Sequence, residues 1–183
     1  MGIIIFIVIV VAIIALLIAS YNGLVRLRVR ADSSWSDIDV QLKRRHDLIP
    51  NLVETVKGYA SHEKSTFEDI AKYRSAAMQA STPVERSAAE GQLTAALKTL
   101  FAVAENYPQL RASEQFTSLQ NALQEVENTI QEARRYYNAV VRDYNTKLQT
   151  FPTSIIAGIF NFAPRQFFHP DEPSDRENVA VKF

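Results

Sequence analysis

From Ile3 to Ala19 the chain is an unbroken apolar run, and this stretch limits what the rest can be. At a rise of ~1.5 Å per residue, about 20 residues span a ~30 Å hydrocarbon layer. Gly2 to Tyr21 meets that length with little tilt. Taking roughly −0.4 kcal/mol for each central Ile, Leu, Val or Phe, insertion of the run is favoured by about −6 kcal/mol at most. A cleaved secretory signal is the competing explanation. It fits poorly, because no Lys or Arg precedes the run and Leu17-Ile18-Ala19 lacks the small-x-small pattern of a cleavage site. Residues 1–22 therefore read as a permanent transmembrane anchor.

Charge sets the expected orientation. Arg26, Arg28 and Arg30 follow the run and no charged side chain precedes it, so the positive-inside rule places the N-terminus outside and the domain in the cytoplasm, on the inner membrane. Over the whole chain twenty basic and twenty acidic residues give a formal net charge of zero. That balance leaves no electrostatic footprint for nucleic acid. The absence of Cys agrees with a reducing compartment and excludes a lipid-modified cysteine as the anchor.

Beyond the anchor the apolar residues keep a helical period. Leu24, Ala31, Trp35, Ile38, Leu42, Ile49, Leu52, Val56 and Tyr59 recur in steps of three and four once Arg28 and Arg45 are counted into the register. This is the seam of a long helix of about 36 residues, or roughly 54 Å. Pro50 lies inside it and is expected to kink it without ending it. Gly58-Tyr59-Ala60-Ser61 marks a break, followed by a shorter helix with Phe67, Ile70, Ala71, Ala77 and Met78 on its apolar side. Thr82-Pro83-Val84-Glu85 then combines an N-cap Thr, Pro at the first helical position and a Glu that closes a capping box. The third helix has an expected seam of Val84, Ala88, Leu93, Leu97, Leu100, Ala104 and Tyr107, and Pro108 marks its end. A fourth, from Ala112 to Gln149, carries the most regular coiled-coil-like run: Phe116, Leu119, Leu123, Val126, Ile130, Ala133, Tyr137, Val140, Tyr144 and Leu148. Short connections make neighbours antiparallel. The expected fold is all-α: a transmembrane helix continuing into a long antiparallel up-down bundle of two long and two shorter helices over 23–150.

The returning fourth helix delivers 151–168 near the bilayer. That stretch is rich in Phe, broken by Pro and too short to span. Phe151, Ile155, Ile156, Ile159, Phe160, Phe162, Phe167 and Phe168 are candidates for a membrane or oligomer interface, the alternative being that the segment folds back on its own bundle. Residues 169–183 read as a disordered tail.

Catalytic chemistry has little to stand on. His46, His62 and His169 lack a second His one turn away, so no HExxH-type metal set exists. No G-x-S-x-G elbow is present, and five scattered Gly make no phosphate cradle. No cofactor, metal or catalytic residue is assigned. Polarity within or beside the seams is the feature that needs a role: Arg28, Arg45, Asn51, Asn138, Arg142 and Asn145 could fix helix register or oligomeric state.

The stretch Trp35-Ser36-Asp37-Ile38-Asp39-Val40-Gln41-Leu42-Lys43-Arg44-Arg45-His46-Asp47-Leu48-Ile49-Pro50-Asn51-Leu52-Val53 resembles the LemA family of bacterial membrane proteins. Tyr21-Asn22-Gly23-Leu24-Val25, Tyr107-Pro108-Gln109-Leu110, Tyr136-Tyr137-Asn138, Tyr144-Asn145, Phe151-Pro152 and Phe167-Phe168 extend the likeness. The resemblance implies a helical bundle behind one N-terminal transmembrane helix, brings no established catalytic activity, and suggests association with membrane metalloproteases in membrane-protein quality control. Two functions follow as expectations. One is a non-enzymatic, membrane-anchored scaffold that self-associates and organises protein or lipid at the membrane surface. The other is an adaptor that presents the bundle, around Ser81-Thr82-Pro83, to a membrane metalloprotease or signalling partner.

Overall fold

The structure, a computed structural model, describes residues 1–168, so the expectation for the 169–183 tail lies outside the described residues. Among the described residues there are six helices and no strand: α1 (Gly2–Lys57), α2 (Lys64–Gln79), α3 (Pro83–Ala104), α4 (Pro108–Arg111), α5 (Glu114–Gln149) and α6 (Thr153–Ile159). The apolar run and the first amphipathic seam are one unbroken helix, α1. Two of the helices, α4 and α6, are short additions to the four expected from periodicity. Pro108 opens α4 at its first position rather than only closing α3, because a helix N-terminus has no use for the amide that proline lacks.

The described chain divides into two compact units. An anchor-bearing unit takes Met1–Asp39 and Ala133–Phe167, and a second takes Val40–Glu132 together with, among the described C-terminal residues, Phe168. Both α1 and α5 therefore supply residues to each unit.

In the anchor-bearing unit every Ile, Val, Leu and Phe from Ile3 to Ile18 is exposed. The helix is long and apolar enough to cross a membrane. Beyond it, Leu24 shares a small core with Tyr144, Ile156 and Ala157, flanked by Leu27, Leu148 and Phe162. Farther along α1, the Trp35 ring lies 5.3 Å from that of Tyr137. Numbers rise on α1 as they fall on α5, so the two helices run antiparallel here. The short helix α6 closes this core, and its end follows from local chemistry. Asn161 adopts the left-handed region (φ 52°), which Asn tolerates better than most side chains. The Phe162 amide then donates to the Ala157 carbonyl at 2.9 Å and the Asn161 amide to Gly158 at 3.4 Å, closing α6 with a Schellman-type turn.

The second unit holds the larger core. Ile49, Leu52 and Val56 of α1, Phe67, Ile70 and Ala77 of α2, Leu93, Leu97 and Leu100 of α3, and Phe116 and Leu123 of α5 are all buried in it. The expected capping box is formed: the Thr82 hydroxyl accepts from the Glu85 amide while the Glu85 carboxylate accepts from the Thr82 amide. Ser81 also donates to Glu85 through its amide and hydroxyl, and these bonds hold the Glu85 carboxyl below its ordinary value. Several expected seam positions lie outside the core. Val84, Ala88, Ala71 and Met78 are exposed, and on α3 the buried positions before Leu93 are Ser87 and Glu90. The expected phase required a step of five from Ala88 to Leu93, whereas Ser87, Glu90, Leu93, Leu97, Leu100 and Ala104 advance by threes and fours. The polar character of Ser87 and Glu90 disguised the true seam.

Pro50 shows how α1 tolerates a proline. Helix α1 continues through it to Lys57, although Pro50 has no amide to give to the His46 carbonyl. The missing donor comes from a neighbour: Arg74 Nε of α2 donates to the His46 carbonyl at 2.8 Å. An orphaned buried carbonyl costs about 1–3 kcal/mol, so Arg74→Leu should lower unfolding free energy by that order. In a Pro50→Ala background position 50 regains its amide, and the same change should cost clearly less. Denaturant unfolding of the detergent-solubilised chain followed by circular dichroism measures both; equal costs in the two backgrounds would break the link between Arg74 and Pro50.

Candidate functional site

Two clusters collect the polar residues that the sequence marks out, one in each unit. In the second unit the centre is Glu90, which has no exposure to solvent. Arg45 Nη1 donates to Glu90 Oε2 at 2.9 Å, and His46 Nε2 lies 2.7 Å from Glu90 Oε1. Arg45 Nη2 also donates to the Thr94 hydroxyl at 2.7 Å and lies 3.5 Å from Glu127 of α5. The Thr94 hydroxyl donates to the Glu90 backbone carbonyl at 2.9 Å. With the Arg74 bond to the His46 carbonyl, adjacent residues of α1 are tied to α2, α3 and α5.

This cluster suits helix locking better than turnover. Glu90 is fully occupied and sealed, and the Thr94 hydroxyl is engaged both as donor and as acceptor. A cleft of about 240 Å³ opens beside it, lined among others by Arg45, Thr94, Lys98, Phe101, Gln124 and Glu127. Among the described residues no group of three or more His, Cys, Asp or Glu is placed to hold a metal ion. Arg45 was legible from sequence as a charge inside a seam. Glu90 was not singled out, and the signal that could have found it is the irregular step in the expected α3 seam.

In the anchor-bearing unit the polar residues of α5 clasp the segment after α6. The Tyr144 hydroxyl donates to the Ala163 carbonyl at 3.1 Å and the Tyr137 hydroxyl to the Gln166 carbonyl at 3.0 Å. Between them the Asn145 amide pairs both ways with the Arg165 backbone, its Nδ2 donating to the carbonyl and its Oδ1 accepting the amide, each at 2.9 Å. Arg165 in turn forms an ion pair with Asp32 of α1. Burial raises the pKa of Tyr137 and of Tyr144 above the ordinary phenol value, and the positive charge of Arg165 opposes that shift in both.

The other singled-out residues fall as follows. Arg28 is exposed, with its guanidinium 5.4 Å from the Phe162 ring centroid. Arg26, Arg30, Asn51 and Arg142 are exposed, and Asn51 borders a shallow groove with Gln115 and Ser118. Asn138 is half-buried. Of the Phe-rich candidates, Ile156 and Phe168 are buried, Phe162 and Phe167 are half-buried, and Phe151, Ile155, Ile159 and Phe160 are exposed. The segment does not act as one surface: part of it folds inward and part faces out.

Removing Glu90 leaves Arg45 buried beside a weaker partner. Glu90→Leu and Arg45→Met should therefore each cost about 3–5 kcal/mol of unfolding free energy, and the double change Arg45→Met with Glu90→Leu should recover much of that loss. Simple addition of the two single losses in denaturant titrations would contradict a coupled pair. For the clasp, Asn145→Ala strips partners from both backbone groups of Arg165, worth roughly 1–3 kcal/mol of local opening. Tryptic cleavage after Arg165, followed by mass spectrometry of the 1–165 fragment, should accelerate about tenfold or more; an unchanged rate would show the clasp to be dispensable. Raising the pH weakens it as well. The folded phenol pKa values lie above the unfolded value of 10.0, so this contribution is whole below pH 10 and is lost as pH climbs past it.

The LemA family model matches residues 34–183, a span that begins after the apolar run and holds both clusters except Asp32. Magnetosome protein MamQ 2 of Paramagnetospirillum magneticum is 26% identical over 192 residues, covering 91% of this chain and 71% of that protein. Magnetosome protein MamQ of Magnetospirillum gryphiswaldense is 24% identical, covering 90% of this chain and 70% of its own length. Protein LemA of Metamycoplasma hominis is 27% identical over 140 residues, 74% of this chain and 63% of that one. On a match that spans most of its length, this chain belongs to the LemA family.

Proposed function

We propose that the protein is a non-enzymatic, membrane-anchored helical scaffold that self-associates and organises protein or lipid at the cytoplasmic face of the inner membrane. The observation that carries the reading is the continuity of α1. Its apolar run is exposed throughout, and the same helix, without a break, supplies Leu24 to one core and Ile49, Leu52 and Val56 to the other. An anchor joined through a flexible linker would leave its domain free to tumble. A continuous helix holds the domain in a defined attitude to the lipid, which is what a scaffold needs and a mere tether does not. The orientation rests on Arg26, Arg28 and Arg30 following the run. The relatives named for the magnetosome lend support, since that name attaches related chains to a particular structure.

Two measurements on the same preparation test the proposal. Full-length protein extracted into native nanodiscs should give particles holding several copies by mass photometry, and protease added outside intact spheroplasts should spare 23–168. Particles with a single copy remove self-association, and loss of the domain to external protease reverses the orientation. Single copies found with one stoichiometric membrane metalloprotease would favour the adaptor instead.

A further inference from the structure

We infer that α6 is a second membrane contact: its exposed apolar face lies in the headgroup–acyl boundary of the bilayer that holds the α1 anchor. The inference deepens the membrane-anchored reading and rests on it. Helix α6 has two unlike sides. Thr153, Ile156 and Ala157 are buried, the last two in the core with Leu24 and Tyr144, so the helix is fixed to α1 and α5. On the other side Ile155 and Ile159, one helical turn apart, are 52% and 65% exposed, and the flanking Phe151 and Phe160 are 81% and 55% exposed. Nothing in the anchor-bearing unit covers this face.

The position of α6 along α1 names the occupant. The Phe160 ring lies 4.7 Å from the ring of Tyr21, and Phe162 lies 5.8 Å from it. Tyr21 is three residues past Ile18, the last large apolar residue of the run, a rise of about 4.5 Å. A bilayer that covers Ile18 therefore reaches the level of α6. Aromatic rings with basic side chains just beyond them are what the interface favours, and here Tyr21, Phe160 and Phe162 are followed by Arg26, Arg28 and Arg30. Arg28 stacks on Phe162 with its charge still in water. The chain then leaves this level: Asn161 turns it, and the clasp of Tyr144, Asn145 and Tyr137 carries it back along α5. The exposed apolar side chains thus belong to the part of the segment beside the anchor.

The native chain has no Cys, so single cysteines give clean labelling sites. Full-length Ile155→Cys, Ile159→Cys and Tyr136→Cys proteins carry a nitroxide after reconstitution into phosphatidylcholine–phosphatidylglycerol vesicles. All three positions are exposed, so the labels disturb no core. Power saturation compares accessibility to oxygen, which concentrates in lipid, with accessibility to a water-soluble nickel chelate. At 155 and 159 oxygen accessibility should exceed nickel accessibility, and the order should reverse at 136 on α5, next to Tyr137 at the level of Trp35, far along α1 from Tyr21. Nickel dominance at 155 and 159 overturns the inference, as does exclusion of both reagents with spin–spin broadening, the signature of a second copy over the face. Alkaline carbonate extraction of the same vesicles separates the two failures. Release of the chain refutes the anchor, whereas a retained chain with nickel-accessible labels refutes only the α6 contact.

Discussion

Glu90 carries the constraint on which the second unit depends. A carboxyl group with no access to water is tolerable only if its oxygens are paired, and Arg45 and His46 meet one each from consecutive positions of α1. Those two contacts fix the rotation of α1 against α3, because a one-residue slip would present Arg44 or Asp47 to the acid instead. Thr94 and Glu127 hold the far side of Arg45, and Arg74 meets the His46 carbonyl that Pro50 leaves without a donor. A network of this kind adds less net stability than an apolar core of equal volume, but it penalises every other register. Register is the property in question, since long helices with apolar seams can slide by a turn at small cost in burial.

The anchor-bearing unit solves a related problem with neutral groups. The segment that follows α6 has no regular structure to satisfy its backbone. Tyr137, Tyr144 and Asn145 supply the partners, and Asn145 does so as a surrogate peptide, giving and accepting on the same residue. Polarity beside the α5 seam is thus used to hold a returning strap. Such a strap lets one short helix stay at the level of the anchor while the chain beyond it moves away.

Family membership and continuity of α1 point in the same direction. The polar clusters, Asp32 apart, lie within the span matched by the LemA family model, and the apolar run lies before it. In this chain the two clusters hold helices and a strap in place. The apolar run and the residues that enter the two cores belong to one unbroken helix, α1.

Much of this was legible in the order of residues. The apolar run, the periods of three and four on α1 and α5, the Gly58 break and the capping box at Thr82 are local patterns, set by the pitch of a helix and the valence of its end groups, so they need no knowledge of neighbours. Arg45 could be placed in a seam for the same reason. Glu90 could not, because a carboxylate is normally read as solvated until its partners are known, and those partners lie on α1 and α5, far away in sequence. The Arg74 bond to the His46 carbonyl was hidden likewise: sequence shows that Pro50 orphans a carbonyl but not who satisfies it. The Phe-rich segment shows the boundary most clearly. Composition marked Phe151 to Phe168 as apolar and close to the anchor, and only tertiary packing decided that Ile156 turns inward while Ile155 and Ile159 remain exposed, because a seven-residue helix has too few turns to declare its buried side before it has something to lie against.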